Sequence, residues 1–147
     1  MRRSRTQVEE PPTLLYVVKQ VELAQRARLA EVLQGSGITV LQYTAMTVLQ
    51  RRGPMSSAAL ARSAFVTAQS MADLVKALGA RGLVERGPDP ADRRHLLVRL
   101  TEAGRDLLDR YAGAVERLEA DMVADLTPQQ VAALRTYLNS CRAALVP

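Results

Sequence analysis

Apolar residues recur along this chain at helical spacing in six segments and alternate with polar ones in a short run near residue 98. Thr13, after Pro11-Pro12, is a helix N-cap, and Leu14, Leu15, Val17, Val18, Val21 and Leu29 form a broad stripe to about Leu33. Gly35-Ser36-Gly37 breaks it. Thr39 and Gln42 then spell a capping box, and Ile38 with Tyr43 a hydrophobic staple. A second helix is expected to about Arg51, where basic residues suit its C-terminal dipole, with Gly53-Pro54 closing it. Ser56 or Ser57 caps a short third helix through Leu60 and Ala61, and Ala64-Phe65-Val66 is a tight link to Thr67, the next N-cap.

From Thr67, Met71, Leu74, Val75 and Leu78 share one helical face, while Gln69, Ser70, Asp73 and Lys76 lie on the other. Gly82 stops this helix. Leu83–Arg86 is strand-like, and Leu96, Val98 and Leu100 alternate with Leu97 and Arg99 as a half-buried strand that should fasten to the core. Thr101 starts a long fifth helix whose stripe runs through Leu107, Leu108, Tyr111, Val115, Leu118 and Met122. Thr127-Pro128-Gln129-Gln130 combines a capping box with proline at the first helical position, and the last helix carries Val131, Leu134, Leu138, Cys141 and Leu145.

In order, the middle reads helix, short helix, tight link, helix, strand, charged turn, strand. That is a helix-turn-helix followed by a two-stranded wing, so the expected fold class is mainly α (α+β). Composition agrees: 48% of the 147 residues are hydrophobic and 3% aromatic, which favours a helical Leu, Val and Ala core in a single domain. No apolar run is long enough to span a bilayer, and Met1–Thr6, although basic, does not lead into a signal-peptide core, so a cytoplasmic protein is expected. One cysteine and one histidine leave no intrachain disulfide, no cysteine-based zinc site and no histidine-dependent catalysis, and no cofactor or enzymatic activity is expected.

The formal net charge is +5, the region from Met55 to Thr101 is basic and the C-terminal part slightly acidic. One face therefore suits a polyanion. Gln69 can hydrogen-bond a base edge in bidentate fashion, and Thr67 and Ser70 are small enough to let their helix sit deep in a major groove. The adjacent Arg93 and Arg94 at the wing tip suit the negative potential of a minor groove, and Asp92 can pin the Arg94 guanidinium and reduce the entropy lost on binding. A winged helix that binds protein instead of DNA is the alternative, opposed by this basic wing.

The stretch LARSAFVTAQSMADLVKALGARGLVERGPDPADRRHLLVRLTEAG, above all its GLVER…DPADRR…LTEAG run, resembles the winged-helix core of the multiple antibiotic resistance regulator (MarR) family. The resemblance includes the flanking helices and spans the chain. It implies a homodimeric bacterial transcription factor, a repressor at a pseudo-palindromic operator in double-stranded DNA. Residues 39–101 become the DNA-binding lobe, and 13–34 and 102–147 the dimerisation helices. It makes 67–80 the recognition helix, with Thr67, Ala68, Gln69 and Ser70 at its DNA-facing start and Lys76 further along. Arg94 becomes the minor-groove arginine, Asp92 its orienting partner and Arg93 a phosphate contact, while Ser56 and Ser57 offer hydroxyls and a helix N-terminus to phosphate.

Where many members carry a basic residue this chain has Asp73, which would repel phosphate unless it accepts from cytosine or pairs with a neighbour such as Lys76 or Arg62. A small aromatic or phenolic effector is implied, with Tyr16, Tyr43 or arginines of the first two helices as candidate contacts. Cys141, on the apolar stripe of the last helix, reads as a buried structural thiol, and His95 as a strand-edge residue.

Overall fold

The computed structural model describes residues 9–147, so the basic opening Met1–Thr6 lies outside the described residues. Six helices and one two-stranded antiparallel sheet follow in order: α1 (Leu14–Val32), α2 (Val40–Arg52), α3 (Ser57–Ala64), α4 (Ala68–Ala80), β1 (Val84–Pro88), β2 (Leu96–Leu100), α5 (Glu102–Met122) and α6 (Pro128–Leu145). All six helices start on a hydroxyl side chain that accepts a backbone N–H three residues on. Thr39 with Gln42, and Thr127 with Gln130, close complete capping boxes. Gly35, Gly37, Gly53 and Gly82 take positive φ where the helical patterns break.

The hydrophobic core lies in the lobe formed by α2, α3, α4, the sheet and the first two turns of α5. Ala45, Met46, Leu60, Met71, Val75, Leu78 and Val98 are almost fully enclosed, and Tyr43 packs against them with its hydroxyl pKa raised by burial. Burying each such Leu, Val or Met side chain is worth about 1.5–3 kcal/mol. This core fixes which faces of α4 and β2 remain outside.

Two boundaries moved. The first strand begins at Val84 and extends to Pro88, because it pairs along its whole length with β2, Val84 opposite Leu100 and Pro88 opposite Leu96. Ala64 completes α3, which shortens the link to Phe65 and Val66. A third segment joins the sheet at one point: Met55 and Val98 exchange backbone hydrogen bonds at 3.2 and 2.8 Å. The wing is thereby tied to the residue that precedes the α3 cap. Val98 and Leu100 fasten β2 to the core as expected, but Leu96 does not, since it lies exposed at the outer end of the ladder.

The long helices behave differently. In α5 only Gly104, Leu107 and Leu108 are buried, and all three belong to the lobe. Beyond them α5 leaves the lobe and packs along α1, where Arg28 pairs with Asp121 at 3.0 Å. Leu14 and Leu15 of α1 remain 83% and 80% exposed, and α6 has no buried residue at all. Cys141 is exposed in the protomer and not buried as its stripe suggested, because nothing among the described residues covers that face of α6.

Candidate nucleic-acid interface

The segment that presents α4 is unusually tight. Phe65 ends α3 in the left-handed region, at φ 57° and ψ 40°, and is the one non-glycine residue with positive φ among the described residues. That conformation costs of the order of 1 kcal/mol for a residue with a Cβ. It allows only Val66 between the end of α3 and the Thr67 cap of α4, and so sets the angle between the two helices. On α4, Met71, Leu74, Val75 and Leu78 point into the core. Thr67, Ala68, Gln69, Ser70, Asp73 and Lys76 are all exposed on the other side.

These polar groups are partly organised among themselves. Thr67 Oγ1 accepts from the Ser70 backbone N–H at 3.0 Å and donates to Ser70 Oγ at 2.9 Å, so the Ser70 hydroxyl hydrogen stays free to donate outward. Gln69 Nε2 donates to Asp73 Oδ1 at 3.2 Å. Asp73 pairs with neither Lys76 nor Arg62, the partners suggested by the sequence; its partner lies one turn back on its own helix face. Ser56 and Ser57 lie at the start of α3, half-buried. Ser56 is the cap, with its Oγ accepting from the Ala59 N–H at 3.1 Å, and Ser57 is the first helical residue.

The wing tip is a folded turn. Asp89 N donates to the His95 carbonyl at 2.8 Å and His95 N to the Asp92 carbonyl at 3.0 Å, while the Asp89 carboxylate accepts from Ala91 N at 2.9 Å. Within it Asp92 grips Arg94 three times. The backbone N–H and Nε of Arg94 donate to Oδ1 at 3.1 and 3.2 Å, and Nη2 donates to Oδ2 at 3.3 Å. The guanidinium, and then the Arg94 backbone N–H, hold the Asp92 carboxyl below the usual carboxylate range. Arg94 is still 88% exposed on its side chain, so the brace aims the group without burying it. Arg93 is exposed beside it.

The turn holds a third partner that the sequence pattern does not announce. His95 Nε2 lies 3.3 Å from Asp92 Oδ2, so one carboxylate serves both an arginine and an imidazole. The spacing of Asp92 and His95 held that signal, but only the turn's hydrogen bonds bring them together. The last wing residues then lock to the lobe: Thr101 N donates to the Leu83 carbonyl at 3.1 Å, and Thr101 Oγ1 to the Gly82 carbonyl at 2.6 Å.

A helix-turn-helix, a two-stranded wing and a small polar recognition face are thus on one lobe, flanked by long helices. The MarR family model matches residues 36–95, which include the helix-turn-helix and the wing tip. Over 116 residues the chain is 33% identical to the HTH-type transcriptional repressor Rv2887 of Mycobacterium tuberculosis, covering 78% of this chain and 84% of that one. The chain belongs to the MarR family. It is a DNA-binding transcriptional regulator, and the alternative of a winged helix that binds only protein is not favoured by its relatives.

Two further likenesses agree with this MarR-family membership. The chain is 40% identical over 72 residues to the transcriptional repressor NicR of Pseudomonas putida, a match covering 49% of this chain and 46% of NicR. It superposes with a TM-score of 0.76 and 25% identity on a mutant of MarR from E. coli in complex with operator DNA, covering 87% of this chain and 92% of that one. Among the described residues no helix is long and apolar enough to cross a membrane.

Proposed function

We propose that this MarR-family chain is a homodimeric repressor that reads a pseudo-palindromic operator. In each protomer α4 enters the major groove with Thr67, Ala68, Gln69 and Ser70 leading and Lys76 toward phosphate. Arg94 reaches the adjacent minor groove, Arg93 takes a phosphate, and Ser56 and Ser57 face the backbone from the start of α3. Residues 39–101 act as the reading lobe, and 13–34 with 102–147 as the dimerisation helices. Half-sites then lie about one helical turn, roughly 10 base pairs, apart.

The observation that carries this reading is the Asp92–Arg94 brace: an exposed guanidinium pre-aimed by hydrogen bonds to its backbone and side chain, on the lobe that carries α4. Pre-orientation matters because a free arginine would lose rotamer entropy on entering the groove. The bare apolar faces of α1 and α6 support the dimer, since a monomer would leave them in water. A small aromatic effector completes the proposal. It is supported by a hollow of about 220 Å³ between α1 and α5, lined by Val21, Ala24, Gln25, Leu118 and Met122 together with the Arg28–Asp121 pair, on the helices proposed for dimerisation. The test is footprinting of the purified protein on duplex selected from a random pool. A two-fold protected site with a steep fall in affinity as salt rises is expected; salt-insensitive, sequence-independent binding would oppose it.

A further inference from the structure

The contact between Gln69 and Asp73 has a chemical direction. A primary amide carries two N–H donors on one side and a carbonyl acceptor on the other, and a half-turn about its last bond exchanges them. On an exposed helix face nothing ordinarily decides between the two orientations. Here the neighbour one turn along is a carboxylate, which only accepts. With Nε2 toward Asp73 the pair makes a hydrogen bond of 3.2 Å; the flipped amide would set Gln69 Oε1 against Asp73 Oδ1. No cation within salt-bridge distance competes for that carboxylate among the described residues, so its acceptor capacity is available to Gln69.

After that bond Gln69 retains one N–H and its carbonyl, held side by side. Adenine offers the complement in the major groove, an acceptor at N7 and a donor at N6, whereas guanine offers two acceptors, N7 and O6. The Asp73 charge works in the same direction, because it repels the guanine acceptors and tolerates the amino hydrogens of adenine or cytosine. The geometry points to Asp73 as a positioning residue that fixes the amide orientation of Gln69 and so selects adenine over guanine at one base pair of each half-site. This rests on the DNA-reading role proposed for α4. It gives a purpose to a carboxylate on a face that otherwise needs to approach phosphates.

Binding-site selection from a random duplex pool, run in parallel on full-length wild type, Gln69→Ala, Asp73→Ala and the double variant, tests it. Wild type should select adenine at one position of each half-site. Both single variants should lose about ten-fold of the adenine-over-guanine preference at that same position. The double variant should be no worse than either single one, because the two residues act as a unit. Preferences at the other positions and the Tm should stay as in wild type, which a merely structural role for Asp73 would not predict. Retention of the wild-type preference by Asp73→Ala, or by Gln69→Ala, overturns the inference and leaves the reading of α4 as a DNA-binding helix intact. Failure of wild type to enrich any sequence overturns that reading, and the inference with it.

Discussion

Gly104, in the first turn of α5, passes against the backbone of Leu83 so closely that a Cβ at residue 104 would overlap the Leu83 carbonyl oxygen. The same carbonyl accepts from Thr101 N at 3.1 Å, so the backbone there cannot withdraw without breaking a bond. The helix that leaves the reading lobe is therefore seated on the residue just before the first strand of the wing. Gly104→Ala should cost about 3 kcal/mol of stability, the upper part of the range for overpacking, because a carbonyl has no rotamer with which to give way. Chemical denaturation would show it as a lower midpoint; an unchanged midpoint would mean that α5 is not docked this tightly.

Thr101 holds the other side of that joint. Its Oγ1 accepts from Gly104 N at 3.1 Å and donates to the Gly82 carbonyl, joining the α5 cap to the turn after α4. Thr101→Val keeps the shape and removes both bonds, and should cost about 1–2 kcal/mol. Amide hydrogen exchange should rise at Gly104 and Arg105 before it rises elsewhere in α5.

Much of this architecture can be read from the residues in order, because hydroxyl caps, glycine stops and apolar periodicity are local signals. Thr13, Thr39, Thr67, Thr101 and Thr127 each mark a helix start that needs nothing distant to form. The Asp92–Arg94 pair was legible for the same reason, lying two residues apart in one turn. What stayed hidden depends on partners far along the chain or on orientation. The Met55–Val98 bridge joins segments that only the folded lobe brings together, and Leu96 has ideal alternation yet sits beyond the core's reach. Gly104 could be read as a helix residue but not as a close approach. Asp73 looked to Lys76 or Arg62 by charge, whereas the helix places it under Gln69. Cys141 follows an apolar stripe that the described residues of one protomer leave uncovered.

That uncovered stripe leads to a third expectation. Leu138 and Cys141 lie three residues apart on α6, exposed in the protomer. In the proposed dimer this face is covered, so Cys141 should react slowly with a thiol reagent at high protein concentration. Leu138→Glu should shift the mass measured by light scattering from dimer toward monomer and speed that reaction. The circular dichroism of the lobe should be retained, since α6 contributes nothing to its core. Fast labelling of wild type at a concentration where it is dimeric would place Cys141 outside the interface.

Acidification gives a fourth. The Asp92 carboxyl is held low by Arg94, so its charged form is favoured in the folded wing. The brace is then fully present above the ordinary carboxylate range and is lost only as pH falls through the lowered value. Asp92 is solvent-accessible, so the consequence is for Arg94 orientation and not for global stability. A carboxyl carbon titration by NMR should place Asp92 below the ordinary carboxylate range in wild type and raise it part of the way back in Arg94→Ala, where the backbone N–H of residue 94 still donates to it. Titration of Asp92 at the same pH in both proteins would mean that the ion pair does not persist in solution.

Fluorescence anisotropy with a selected operator duplex reads whether the braced wing arginine contacts DNA. Wild type, Arg94→Ala and Asp92→Ala would be compared at one fixed salt concentration, with circular dichroism and light scattering confirming equal fold and assembly. Arg94→Ala should weaken binding by about ten-fold or more, with a shallower dependence on salt, and Asp92→Ala by less, since it frees the guanidinium without removing it. Arg94→Ala binding the operator as tightly as wild type would contradict the minor-groove assignment and, with it, the account of the wing.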